Sequence, residues 1–207
     1  MPRPRFDRLN ARKRERILEA AAKEFAAHGY DGASLNQILD NAGISKGAAY
    51  YYFDDKADLY TTTILHYSQE LMEAVRFDPA QLTVDNFWDE IAALYREQLT
   101  AYVERPWVFG VAKAGGISPA SLPEQGPLTQ LMEQAELILV ALLRRGQALG
   151  QVRDDLPQDL LLALTIALDD AHDRWVYAHW SELSTADLKE AALRAADNLR
   201  RLLSPEQ

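Results

Sequence analysis

Nowhere in the 207 residues do apolar and polar side chains alternate over six or more positions between turn signals, so the chain specifies no β-strand. A helical period runs through most of it instead. Ile17, Leu18, Ala21, Phe25 and Ala26 share one face of a first long helix, and Gly29, after His28, predicts a left-handed stop. Ser34 is placed to cap a helix from Leu35 to about Ala42, Gly43 ends it, and Ser45 caps another through about Tyr52. Asp54 or Asp55 opens a longer helix from Lys56 to about Arg76, ahead of Pro79. Thr83 or Asp85 starts the next, which Pro106 stops after about Glu104. A short piece at Trp107–Ala114 leads into Gly115–Pro127, where three glycines and three prolines read as loop. Helices from about Leu128 to Leu149, from Pro157 to about Trp180 and over Thr185–Leu203 complete the chain. The expectation is an all-α fold of about nine helices. It divides into a three-helix N-terminal domain over residues 1–55 and a larger helical domain over residues 56–207.

Charge separates the same two parts. Lys and Arg number 22 against 31 Asp and Glu, a net charge of −9 that argues against a general polyanion binder. Residues 1–60, however, carry ten bases and nine acids, whereas residues 61–207 carry twelve and twenty-two. Seven of the bases (Arg3, Arg5, Arg8, Arg12, Lys13, Arg14 and Arg16) fall in the first sixteen residues, so one end can meet a polyanion. The leader Pro2–Arg8 reads either as a flexible arm whose Arg3 and Arg5 contact a DNA minor groove or phosphates, or as a solvated tail. There is no cysteine, hence no disulfide, thiolate metal site or Cys nucleophile. Charges recur from Arg3 to Arg16 where a signal peptide needs an apolar core, and the apolar run Leu160–Leu168 is about half a membrane span. A cytoplasmic protein with no membrane partner is expected.

The segment Ser34-Leu35, Ile38, Leu39, Ala42-Gly43-Ile44-Ser45 places a capped two-turn helix, a glycine turn and a second capped helix in the layout of a helix-turn-helix. Such a unit projects the start of its second helix into the DNA major groove. Here that helix begins Ser45-Lys46-Gly47-Ala48. Lys46 can reach a phosphate or a guanine edge, Gly47 removes bulk where backbone approaches DNA, and Ala48 offers a methyl contact. Tyr50, Tyr51, Tyr52 and Phe53 follow. Phe53 and Ala49 are expected to face the core, while the three tyrosines spread outward with hydroxyls toward phosphates. The alternative is that the rings fill the core of a small helical domain.

This block, continued through Lys56 and Leu59, resembles the DNA-binding domain of the tetracycline-repressor (TetR) family, with turn, caps, aromatic run and following lysine in one register. The likeness covers about residues 12–60. It implies a homodimer of nine- or ten-helix subunits, each with a C-terminal domain that binds a small ligand and dimerises. It also implies that Lys46, Gly47, Ala48 and Tyr51 approach bases while Ser34, Tyr50, Tyr52 and Lys56 hold phosphates. Two features depart from the family pattern: alanine at 48 and 49, and the pair Asp54-Asp55 beside Lys56, of which Asp55 is explained as a cap.

In the remainder, Leu160–Leu168 is apolar nearly all round and is expected to be buried on more than one side, inside its own fold or against the same helix of a partner. Leu188, Ala191, Ala192, Ala195, Leu199 and Leu202 form a small-residue stripe on the last helix. By the resemblance, the last two helices make the dimer interface; packing within one chain is the alternative. Tyr67, Tyr95, Tyr102, Trp107, Phe109 and Trp175 are candidates to line an effector cavity, individually as well explained by core packing. Asp169 is a candidate pocket carboxylate for a cationic ligand; Asp169 or Asp173 with His172 as a metal site, or a solvent-facing polar side, are the alternatives. No metal site or cofactor is assigned.

A ligand-responsive repressor follows, a dimer released from a palindromic double-stranded operator when a small-molecule effector shifts its population. The alternatives are a helical carboxylate-metal enzyme and an interaction protein that has lost DNA binding. A di-iron bundle needs two Glu-x-x-His pairs, and only Asp169-x-x-His172 comes near one, so no catalysis is expected.

Overall fold

Side-chain caps set most of the helix starts. The computed structural model describes residues 2–74, 77–114 and 126–205. Its described residues form ten α-helices: α1 (Pro4–Asp7), α2 (Ala11–Gly32), α3 (Leu35–Ala42), α4 (Lys46–Tyr52), α5 (Lys56–Ala74), α6 (Phe87–Glu104), α7 (Pro106–Ala114), α8 (Pro127–Ala148), α9 (Gln158–Ala178) and α10 (Thr185–Leu203). A single 3-10 turn covers Pro79–Gln81, and there is no strand among them. The loop expected at 115–125 and the helix end expected at Arg76 lie outside the described residues. No described helix is long and apolar enough to cross a membrane.

Asn10, Ser34 and Ser45 accept the N–H of Lys13, Gln37 and Ala48 at 2.8, 3.3 and 3.2 Å, capping α2, α3 and α4. Ser184 and Asp187 form a reciprocal capping box on α10. Gly43 (φ 62°, ψ 41°) closes α3 in the left-handed conformation, and the Ile44 N–H donates back to Leu39 O at 3.0 Å. Gly29 differs from expectation: its φ of 67° kinks α2 without ending it, and helix resumes to Gly32.

Two compact units result, residues 1–72 with 105–130, and residues 73–104 with 131–207. In the first, α2 is the spine. Ile17, Leu18, Ala21, Ala22 and Phe25 are buried, with α7 along one side and α3 on another. Phe25 and Tyr30 each pack edge-on against the Tyr60 ring of α5, with ring centres 4.8 and 5.1 Å away. The Lys23 ammonium lies 4.3 Å above the Trp107 ring, fastening α2 to α7.

The second unit is built on Leu82, Phe87, Ile91, Leu142, Leu143, Val152, Leu161, Leu199 and Leu203. Gly146 in α8 allows this approach, since a Cβ there would collide with Val152 and lie 2.7 Å from the Phe87 ring. The small-residue stripe of α10 is buried inside this unit, so it is intramolecular packing. Within one chain, Leu160–Leu168 is covered on one side only. Leu161 and Thr165 are buried, but Leu160, Leu164 and Ile166 stand 45%, 36% and 46% exposed, leaving one side of α9 uncovered within the chain.

Candidate nucleic-acid interface

The short helix α4 is sorted by side. Ala49, Tyr52 and Phe53 point inward, and the Phe6 ring of α1 packs on them, 4.8 Å from Phe53 and 6.2 Å from Tyr52. Ser45, Lys46, Gly47, Tyr50 and Tyr51 are exposed, and Ala48 is half-buried. The outward face therefore carries a cation, a bare backbone position and two phenols, groups that reach phosphate oxygens and base edges. Tyr52 does not belong to that face: it is 8% exposed and serves packing, which corrects its assignment as a phosphate holder.

Gly47 has a specific environment. A Cβ built there would meet nothing within 4 Å. Helix interiors disfavour glycine, and no internal neighbour demands it here. The open space lies on the outward side, where a partner's surface would come close.

Charged groups around α4 are engaged in ways the sequence did not reveal. The leader is ordered, not a free arm: α1 forms, Phe6 is buried, and the Arg3 N–H donates to Tyr52 O at 2.8 Å. The Arg3 guanidinium binds the Asp54 carboxylate at 2.7 Å, which accounts for the acid beside Lys56. Arg5 stacks 4.2 Å over the exposed Tyr51 ring and holds it against the surface. The one readable signal for this docking was Phe6, an aromatic among the leader's bases. Lys56 is directed to protein. Its ammonium donates to Asp31 O and Ala33 O at 3.3 and 3.2 Å and lies 4.8 Å over the Tyr30 ring, fixing the end of α2. Ser34 is exposed at the start of α3, and its N–H donates to the buried Glu24 carboxylate at 2.9 Å.

Gly43-Ile44-Ser45-Lys46-Gly47 also spells Gly-x-Ser-x-Gly, the string of a nucleophile elbow. That device needs a strand entering the turn. Here α3 enters it, and Ser45 Oγ accepts the Ala48 N–H as a cap.

The expected effector-lining residues divide between the units. Tyr67 and Phe109 are buried in the first, with Trp107 half-buried beside Lys23. In the second, the Tyr95 hydroxyl donates to Asp169 Oδ1 at 2.7 Å. Burial, with the Asp169 and Asp173 carboxylates adding repulsion, pushes the Tyr95 and Tyr102 hydroxyls far above the ordinary phenol range. The hollow beside Tyr95 and Asp169 measures about 10 Å³, room for about one water. Trp175 is 51% exposed, stacked on His179, and borders an open groove of about 510 Å³ between α9 and α10.

Residues 17–62 match the family described as bacterial regulatory proteins, tetR family. The chain is similar to the HTH-type transcriptional repressor AcnR of Corynebacterium diphtheriae, 26% identical over 152 residues that cover 72% of this chain and 73% of the relative. It is similar to the HTH-type transcriptional repressor SCO4008 of Streptomyces coelicolor, 29% identical over 155 residues covering 74% of each. Its fold matches that of the transcriptional regulator FadR from Bacillus subtilis, solved in complex with stearoyl-CoA, with a TM-score of 0.69, 17% identity and coverage of 89% of this chain and 96% of that one. The helix-turn-helix formed by α3 and α4, the matched segment around it and the all-helical remainder together support a DNA-binding transcriptional regulator of the TetR family.

Proposed function

We propose that the protein is a cytoplasmic, non-enzymatic repressor that binds a palindromic operator as a homodimer and leaves it when a small molecule binds. The outward face of α4 carries this reading: Lys46, Gly47, Tyr50 and Tyr51 are exposed while Ala49, Tyr52 and Phe53 anchor the helix from behind. Residues 1–55 form the DNA-binding part, with Lys46, Gly47, Ala48 and Tyr51 at bases, Tyr50 and Ser34 at phosphates, and Ser45 fixing the helix start. Residues 56–207 form the effector and dimerisation part. One α4 makes few base contacts, so two copies about 34 Å apart read two half-sites. The uncovered Leu160, Leu164 and Ile166 of α9 supply an apolar face for the second copy. Within the second unit, the groove beside Trp175 has room for an effector, and Tyr95, Tyr102 and Asp169 offer rings and a carboxylate to a cationic one that widens the small hollow beside them. An effector that prefers a wider spacing of the two α4 helices lowers DNA affinity by its differential affinity for the two states.

Selection of DNA duplexes from a random pool, followed by sedimentation of the complex, tests this. A two-fold symmetric sequence bound by two chains is expected. Enrichment of no sequence, or one chain on an asymmetric site, contradicts it.

A further inference from the structure

The first unit holds two histidines, His28 and His66, and the second sits in a cluster that takes no part in the outward face of α4. Glu15 of α2 meets His66 and Glu70 of α5 in a half-buried cluster. His66 and Glu70 are four residues apart and so share one face of α5. His66 Nε2 lies 3.0 Å from Glu15 Oε2 and 3.4 Å from Glu70 Oε1, and the three ligand atoms all fall within 4.8 Å of one another. Atoms bound at 2.0–2.1 Å to one tetrahedral metal stand about 3.3 Å apart, so two edges of such a polyhedron are already set.

The second oxygens of both carboxylates are also held. Glu15 Oε1 accepts the Tyr67 hydroxyl at 3.0 Å, and Glu70 Oε2 accepts from Arg105 at 2.9 Å. Each carboxylate thus turns one oxygen toward His66 while an outer donor fixes the other, the arrangement that orients ligands in metal sites. Among the described residues Glu15 and Glu70 pair with His66 and Arg105 pairs with Glu70, so Glu15, Glu70 and Arg105 carry one net negative charge for a cation to offset.

We infer that Glu15, His66 and Glu70 bind a divalent transition cation of the zinc type, which clasps α2 to α5. An imidazole beside two carboxylates selects such ions over Mg²⁺ and Ca²⁺, which take oxygen ligands and more of them. The site does not depend on the DNA-binding reading, since both helices belong to the first unit whatever α4 contacts. The ligands come from positions 51 residues apart, which is why no spacing rule exposes them.

The test uses the untagged full chain, stripped with a chelator and titrated with Co²⁺ and Zn²⁺ at about pH 7.5, above the ordinary His range. One Co²⁺ per chain is expected, with a visible absorption typical of low coordination number, displaced by Zn²⁺ but not by Mg²⁺. His66→Gln should weaken binding at least tenfold. Tyr67→Phe, which keeps all three ligands and removes the outer bond to Glu15, should weaken it about tenfold. His179→Gln should leave it unchanged, and bound Zn²⁺ should raise the wild-type melting midpoint. Should His66→Gln lose helicity, Glu70→Gln with intact helicity serves in its place. Absence of saturable binding, or affinity unchanged by either ligand variant, would mean that the cluster is only an ion-pair network and would overturn the inference.

Discussion

Gly47 shows at the scale of one residue how function and stability oppose each other. Its helix position carries a conformational penalty, and a methyl group added there would touch nothing in the protein. Gly47→Ala is therefore expected to stabilise the fold by up to about 1 kcal/mol in denaturant unfolding, while weakening binding to the selected duplex. Unchanged DNA affinity would remove close backbone approach from the account. Tyr60 makes a second residue-scale case. Its hydroxyl is buried with no hydrogen-bond partner among the described residues, and burial, reinforced by Tyr30, pushes it up to about 12. A raised phenol stabilises the fold below its unfolded value near 10 and loses that contribution as pH rises through the folded value. Two pKa steps correspond to about 2–3 kcal/mol. Stability should fall between about pH 10 and pH 12, less steeply in Tyr60→Phe, and that variant should match or exceed wild type near pH 7. An alkaline limb identical in both proteins would contradict the assignment.

At the scale of elements, helix boundaries were the part most readable in advance, because Ser34, Gly43, Ser45 and Ser184 act through local backbone hydrogen bonds that need no tertiary context. The sidedness of α4 was only partly readable. Ala49 and Phe53 face inward as periodicity requires, but Tyr52 joins them because Phe6 arrives from α1 to cover it. Four residues are too few to show a period, so α1 is not legible in the sequence. Likewise, nothing local tells that Asp54 will meet Arg3 or that Lys56 will satisfy the carbonyls ending α2. Helix α1 braces α4 through Phe6 and the Arg3 N–H. Phe6→Ala should cost about 3–5 kcal/mol of stability, the range for emptying a buried aromatic site. A loss below about 1 kcal/mol would show that α4 holds its place unaided.

At the scale of the whole molecule, the charge asymmetry of the chain points to one end that can meet a polyanion. What covers the outer face of α9 is not legible in the sequence, because an all-apolar helix states that it must be covered without stating by what. Within one chain Leu161 and Thr165 are covered and Leu160, Leu164 and Ile166 are not. If a second copy covers them, Ile166→Glu should yield a helical monomer in sedimentation and lose operator affinity. A dimer that persists would move the interface elsewhere. The central claim is that α4 reads DNA, and the most direct measurement is the affinity of wild type, Lys46→Ala and Tyr51→Ala for the selected duplex across a salt series. Wild type should lose affinity with a log–log slope of about −0.9 per phosphate neutralised. Lys46→Ala should reduce that slope by about 1 and Tyr51→Ala should weaken binding, both with helicity intact. Wild-type affinity and slope in both variants would contradict it.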